Sequence, residues 1–127
     1  MRLFLVRHAE AAPGDPDDLR PLTPAGRDAA RALGGRLAEH HPDAVVASPL
    51  LRALETADLI AHACGLAAEP DDRLGPGATP GTLRAAVEGH GDTVVVVGHQ
   101  PDCGDIVLAL TGREVGFPPA GVQELEL

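Results

Sequence analysis

Leu3-Phe4-Leu5-Val6-Arg7-His8-Ala9-Glu10 is the stretch on which the reading of this chain turns. Four consecutive apolar residues leave no polar face, the pattern of a strand covered on both sides, and the chain then switches at once to an arginine and a histidine. Ala44 to Ala47 and Val94 to Val97 have the same wholly apolar character. Strands of this kind predict a central, mainly parallel sheet flanked by helices. The segments between them carry helical periodicity. Ala25, Ala29, Ala32, Leu33 and Leu37 share one face, and Leu50, Ala53, Leu54, Ala57, Ile60, Ala61 and Cys64 share another. The expected class is α/β, a three-layer sandwich.

Three helix starts are marked by a hydroxyl residue followed by proline: Thr23-Pro24, Ser48-Pro49 and Thr79-Pro80. The hydroxyl can cap orphan amides, and proline suits the first helical position. A fourth helix is expected from about Pro101 to Leu110, with Ile106, Val107 and Leu110 inward, and Val122 to Leu127 alternates like an edge strand. Ala11 to Leu22 and Glu69 to Gly81, rich in Pro, Asp and Gly, read as loops. No internal repeat or low-complexity tract interrupts the pattern. Residues 1–127 are expected to form a single domain.

Leu, Val, Ile and Phe make up 32 of the 127 residues, enough for a packed core. Ten basic residues against 19 acidic ones give a net charge of −9, the wrong sign for nucleic acid or an anionic membrane. Aromatics are 2%, with no Trp or Tyr, so base-stacking platforms are missing too. No apolar run approaches the ~18 residues of a membrane span. Cys64 and Cys103 lack metal-ligand spacing, and the N-terminus does not read as a secretory signal, so a reduced, cytoplasmic setting and a monomer are expected. Every basic residue is Arg, so a phosphate-binding side chain here must be a guanidinium or an imidazole.

In α/β sheets ligands gather beyond the carboxyl ends of the strands. Those ends read Arg7-His8-Ala9-Glu10, Ser48-Pro49-Leu50-Leu51-Arg52 and Gly98-His99-Gln100-Pro101. Singly, each Arg or His is compatible with a structural role, and Arg52 with a surface pair to Glu55 or Asp58. Together, two guanidiniums and two imidazoles would repel one another unless a dianion sat among them, and phosphate is the natural candidate. Arg52 on the opening turn of its helix adds the helix dipole and can fork onto two phosphoryl oxygens.

These residues resemble a known family. Arg7-His8-Ala9-Glu10, Leu22-Thr23-Pro24-Ala25-Gly26, Ser48-Pro49 with Arg52 and Glu55-Thr56-Ala57, and Val97-Gly98-His99 are similar to the histidine phosphatase superfamily, also called phosphoglycerate-mutase-like. The resemblance runs over almost the whole chain. Its compactness and the Arg20-Pro21-Leu22-Thr23 step are most similar to the SixA-type phosphohistidine phosphatases. The resemblance implies that His8 is the nucleophile, transiently phosphorylated, with Arg7, Arg52 and His99 around the phosphoryl group and no cofactor or metal. Physical reasoning agrees on the division of labour. His8 must offer a neutral nitrogen, its other nitrogen donating to a carbonyl, whereas His99 should be protonated when the dianion is bound.

Glu10 and Arg20 are weaker candidates for substrate binding. Glu10 could orient an arginine or accept from substrate, or be a surface carboxylate; Arg20 could reach the pocket or pair with Asp17 or Asp18. Ala9 stands where many relatives have Gly, and Ala11 where many have a hydroxyl residue.

Mutases and ester phosphatases of this family resemble one another in supplying an acid after the second arginine-bearing helix. Arg73 to Val87 here has no Asp or Glu, with Glu69, Asp71 and Asp72 only upstream. Imidazole leaves more readily than an alkoxide, so a phosphohistidine borne on a protein is the favoured substrate, presented to an open pocket. A small phosphorylated substrate, with Asp71 or Asp72 as acid, and a non-catalytic phosphate-binding module are the alternatives. His40, His41, His62 and His90 lack ligand companions at chelating spacing, so no metal site is expected and these four should be solvated.

Overall fold

The computed structural model describes residues 1–127. Five strands run β1 (Arg2–Arg7), β2 (Ala44–Ala47), β3 (Ala68–Pro70), β4 (Thr93–Gly98) and β5 (Val122–Glu126). Four helices connect them: α1 (Pro24–Ala38), α2 (Leu51–Ala63), α3 (Pro80–Val87) and α4 (Asp102–Thr111). The sheet order is β3-β2-β4-β1-β5. All neighbours pair in parallel except β5, which lies antiparallel on the edge beside β1.

The three apolar runs are the three central strands, and alternate residues feed two cores. Leu3, Leu5, Val46, Val94 and Val96 pack with Leu83 and Val87 of α3 and Ile106 and Val107 of α4. Phe4, Val6, Val45, Val95 and Val97 pack on the other face with Leu33 and Leu37 of α1 and Ala57 and Ile60 of α2. This is the expected three-layer sandwich, with a mainly parallel sheet. No helix is long and apolar enough to cross a membrane.

Two of the three hydroxyl-proline starts behave as expected. Thr23 Oγ1 accepts from Gly26 N at 3.0 Å, and Thr79 and Thr82 form a reciprocal capping box. The third differs. Leu50 precedes α2 without a side-chain cap, Pro49 lies before the helix, and Ser48 Oγ reaches only Leu50 N, at 3.3 Å, while lying closer to another partner described below. Strand β3 is also a correction, since Glu69 and Pro70 fall in the stretch read as loop. Its three residues carry no apolar run, and Pro70 is tolerated on an edge because Asp71 N donates to Ala47 O at 2.8 Å in its place. The Ala11 to Leu22 segment is likewise ordered by a 3₁₀ turn, Asp17–Leu19, and an antiparallel bridge between Ala11 and Leu22.

The inward face of α1 is Gly26, Ala30, Leu33, Gly34 and Leu37, whereas Ala25, Ala29 and Ala32 are exposed. Glycine explains the shift. A Cβ at Gly26 would overlap the Glu10 carbonyl, and one at Gly34 would lie 3.0 Å from Ile60 Cα, so these positions let α1 close onto the β1 exit and onto α2. Gly26→Ala should therefore destabilise by about 2 kcal/mol or more, overpacking outweighing the gain of about 1 kcal/mol in helix propensity. Gly35→Ala in the same helix meets nothing within 4 Å and should stabilise by about 0.5–1 kcal/mol. Urea denaturation of the pair reads this contrast; equal shifts would contradict the packing argument.

Candidate active site

Register decides which side chains meet. Val6 and Ala47 both pair with Val97, so the next residues of three adjacent parallel strands leave the sheet side by side. His8 N donates to Gly98 O and Ser48 N to Val97 O, each at 3.0 Å. The His8 and His99 rings consequently lie 5.3 Å apart, centroid to centroid, at 62°. Helix α2 fixes the rest. Thr56 Oγ1 donates to Arg52 O at 2.8 Å and accepts from Ala9 N at 3.0 Å, tying the residue after His8 to the backbone of Arg52. Glu55 accepts from Leu22 N at 2.8 Å and from Arg27 at 2.7 Å, so it braces the entry to α1 and leaves Arg52 free of it.

The result is a cavity of about 400 Å³ lined by Arg7, His8, Arg20, Arg52 and His99, together with Asp17, Asp102, Gln100 and Pro101 and the Pro76-Gly77 turn. No wall is hydrophobic. Three guanidiniums against two carboxylates leave it cationic in a chain of net charge −9. Arg7 Nη1 donates to Phe117 O at 2.9 Å, while its Nε is buried with no partner in the protein. An unpaired buried donor on a charged group is costly, and it is the one buried side-chain polar atom here without a partner.

His8 Nδ1 donates to its neighbour's carbonyl, Ala9 O, at 2.7 Å. A carbonyl can only accept, so the ring is the Nδ1–H tautomer and Nε2 carries the lone pair. Burial, helped by the charges of Arg52, Arg7 and Arg20 and opposed by that hydrogen bond, holds His8 below the usual imidazole range. His99 is 5% exposed, and its Nε2 lies 2.7 Å from Ser48 Oγ. Burial, with His8 and Arg52 adding to it, pushes His99 down to about 4. Both imidazoles are thus neutral at pH 7, so any protonation of His99 depends on a bound dianion to offset Arg52 and the burial.

A stability consequence follows from the sign of the His99 shift. The unfolded chain takes up the His99 proton near pH 6.5 and the fold resists it, so stability is whole above that pH and is lost as pH falls towards about 4. The loss attributable to this ring should reach about 3 kcal/mol. Denaturant unfolding of the native chain and of His99→Gln across that range isolates it; parallel pH profiles would refute the assignment.

Of the other sequence candidates, Arg20 lines the cavity and is anchored by Nε to Ala12 O at 2.9 Å and by Nη1 to Asp17 Oδ1 at 3.2 Å. Glu10 is not brought in. It is exposed and accepts from Thr23 Oγ1 at 2.8 Å at the start of α1. Asp71 and Asp72 also lie outside. Arg73 donates to Asp71 and holds its carboxyl below the usual range, and Asp72 is exposed. Arg52 does not pair with Glu55 or Asp58; its Nη1 and Nη2 donate to Asp17 O and Oδ2 at 2.9 and 3.1 Å. Among the histidines expected to be solvated, His41 and His62 are exposed. His40 is exposed as well, its ring tilted at 4.8 Å from that of Phe4 beside Arg2, and His90 is half-buried, 3.2 Å from Glu69.

Three residues take places around the site that the sequence does not assign to them. Ser48 reads in sequence as a helix cap, yet its hydroxyl lies 2.7 Å from His99 Nε2. Asp17, in the unassigned first loop, bridges Arg52 and Arg20, whose hydrogen bonds hold its carboxyl below the usual range. Asp102, at the start of α4, accepts from Gly77 N at 2.8 Å and closes the opposite rim. Two of them leave a signal, Ser48 in its place directly after a buried strand beside the one that ends in His99 and Asp17 in its spacing from Arg20, a pair named above as an alternative.

Similarity to known proteins is consistent with this geometry. The chain is 33% identical to an uncharacterised protein of a Picosynechococcus species, over 96% of this chain and 82% of that one. It is 29% identical to a Haemophilus influenzae protein named as a phosphohistidine phosphatase SixA homolog, over 98% and 87%. The structure of the protein histidine phosphatase SixA complexed with tungstate superposes with a TM-score of 0.87 at 29% identity, covering 100% of this chain and 88% of that one. Residues 3–75, more than half of the sequence and the part that holds Arg7, His8 and Arg52, match the family model for branch 1 of the histidine phosphatase superfamily, and the chain belongs to that family.

Proposed function

We propose that the protein is a phosphohistidine phosphatase that removes the phosphoryl group from a histidine on a partner polypeptide through a transient phosphoryl group on His8. One observation carries this reading: the Ala9 carbonyl locks the His8 proton on Nδ1, leaving Nε2 bare in a cavity lined by three guanidiniums. Nε2 attacks phosphorus, the P–N bond to the substrate imidazole breaks, and the leaving ring is protonated from solvent. Water then attacks the phosphoryl group on His8, the P–Nε2 bond breaks, and orthophosphate leaves with the nitrogen restored.

Arg7, Arg20 and Arg52 neutralise the equatorial oxygens, where charge spreads in the transition state. With Nε2 turned to Ser48, His99 offers Nδ1 to the same oxygens, and the dianion favours its protonated form. Imidazole-to-imidazole transfer is nearly symmetrical and needs little acid. That suits a cavity in which Asp17 is held ionised by two arginines and both acids expected from sequence lie outside. The similarity to proteins named as phosphohistidine phosphatases, one of them complexed with tungstate, a tetrahedral oxyanion, supports the same choice.

Monoester hydrolysis is the competing reading, favoured by the carboxylate of Asp102 at the cavity rim. Rates on a phosphohistidine peptide and on a panel of phosphate monoesters separate the two. Preference for the peptide, retained in Asp102→Asn, is the expected result. Preference for esters, lost in that variant, would overturn it. Phosphate binding without turnover of either class would indicate a binding module.

A further inference from the structure

A second cavity of about 440 Å³ opens beside the first and shares Gln100 and Pro101 with it. Its far wall is built from Asp105 and Leu108 on α4 and from Glu114 and Val115 in the segment that follows. Gln100 does not wander between the two, since its Oε1 accepts from Gly104 N at 2.8 Å. Neither Asp105 nor Glu114 enters an ion pair within the chain. Leu108 is 42% exposed, and the chain's other large exposed hydrophobic residue, Leu19, stands between the cavity-lining Asp17 and Arg20. Exposed apolar side chains are therefore placed on both flanks of the catalytic cavity, where a small phosphorylated molecule would not reach them.

We propose that this groove seats the stretch of polypeptide adjoining the substrate phosphohistidine, with a basic side chain against Asp105 and Glu114 and an apolar one on Leu108 and Val115. The proposal rests on the phosphohistidine reading given above and adds a specificity to it. Charge complementarity and continuity identify the occupant: the catalytic cavity is cationic and takes the phosphoryl group, while the adjoining groove is acidic and repels it. A substrate whose phosphohistidine is flanked by basic and apolar residues matches both halves at once, and an acidic flank is rejected.

The test uses the full chain with three probes: free phosphohistidine, a phosphohistidine peptide with Arg and Leu flanks, and the same peptide with Glu and Ser flanks. The native protein should favour the basic peptide by about tenfold in kcat/KM, equivalent to about 1.4 kcal/mol. Asp105→Asn with Glu114→Gln, and separately Leu108→Ser, should erase that preference through KM and leave kcat/KM on free phosphohistidine unchanged. Asp28→Asn, which removes one charge from exposed α1, should keep it. Turnover of all three probes without preference, or a preference that survives both groove variants, overturns the docking groove alone. No turnover of any probe by the native protein overturns the phosphohistidine reading and the groove with it.

Discussion

Replacing His8 by alanine should reduce turnover to background and abolish acid-labile phosphate on the protein after brief exposure to a phosphohistidine substrate. The loss of a nucleophile is of a different order from the loss of a binding contact, on the order of 10⁶-fold in kcat where such groups act as a unit. The site offers no substitute. His99 is the other imidazole within reach, but its Nε2 is turned to Ser48 and its ring is buried. Folding should survive the change. His8 is only half-buried, and its one side-chain hydrogen bond runs to the adjacent residue, whereas the Ala9 amide is held independently by Thr56. Mass spectrometry under alkaline conditions, with thermal unfolding alongside, provides the measurement. Persistent label on a well-folded His8→Ala protein would move the nucleophile elsewhere.

The same residue shows why part of the site is legible in sequence. His8 and His99 each follow a run of apolar residues, and any parallel sheet with buried strands delivers its strand ends to one edge. The convergence of Arg7, His8, Arg52 and His99 therefore needs only strand identity and order. What sequence does not contain is which partner a short polar side chain chooses. Ser48 before Pro49 is equally a cap or a hydrogen-bond partner for a ring on the next strand. The choice rests on the β2–β4 register, a long-range property. Glu10 is misplaced for a similar reason: one residue of direction separates the cavity from Thr23. Strand β3 and the true face of α1 are lost to a different cause, because their structure depends on an edge position that tolerates proline and on glycines chosen for close approach, neither of which leaves a hydrophobic period to read.

Arg52→Ala should cost about 2.7–4 kcal/mol of transition-state stabilisation, some 10²–10³-fold in kcat, the scale for losing one preorganised donor to developing charge. Arg7→Ala should match it if its guanidinium, which lines the same cavity, serves the phosphoryl group in the same way. The two are distinguished by what else they hold. Arg7 is anchored to the Phe117 carbonyl, so its loss also loosens the approach to β5. Arg52 binds the Asp17 loop, which raises the question whether its loss acts on chemistry or merely on that loop.

Asp17→Asn answers it, because the Asp17 carbonyl continues to accept from Arg52 while the carboxylate charge is gone. If Arg52 serves the phosphoryl group, Asp17→Asn keeps most of the rate and binds inorganic phosphate more tightly, an internal competitor for two guanidiniums having been removed. If Arg52 serves only the loop, Asp17→Asn and Arg52→Ala lose activity together. Arg52→Lys sharpens the comparison. An ammonium preserves the charge but not the planar fork, so a rate near that of alanine means that two-pronged contact with the phosphoryl oxygens, rather than bulk positive potential, is what the first turn of α2 supplies.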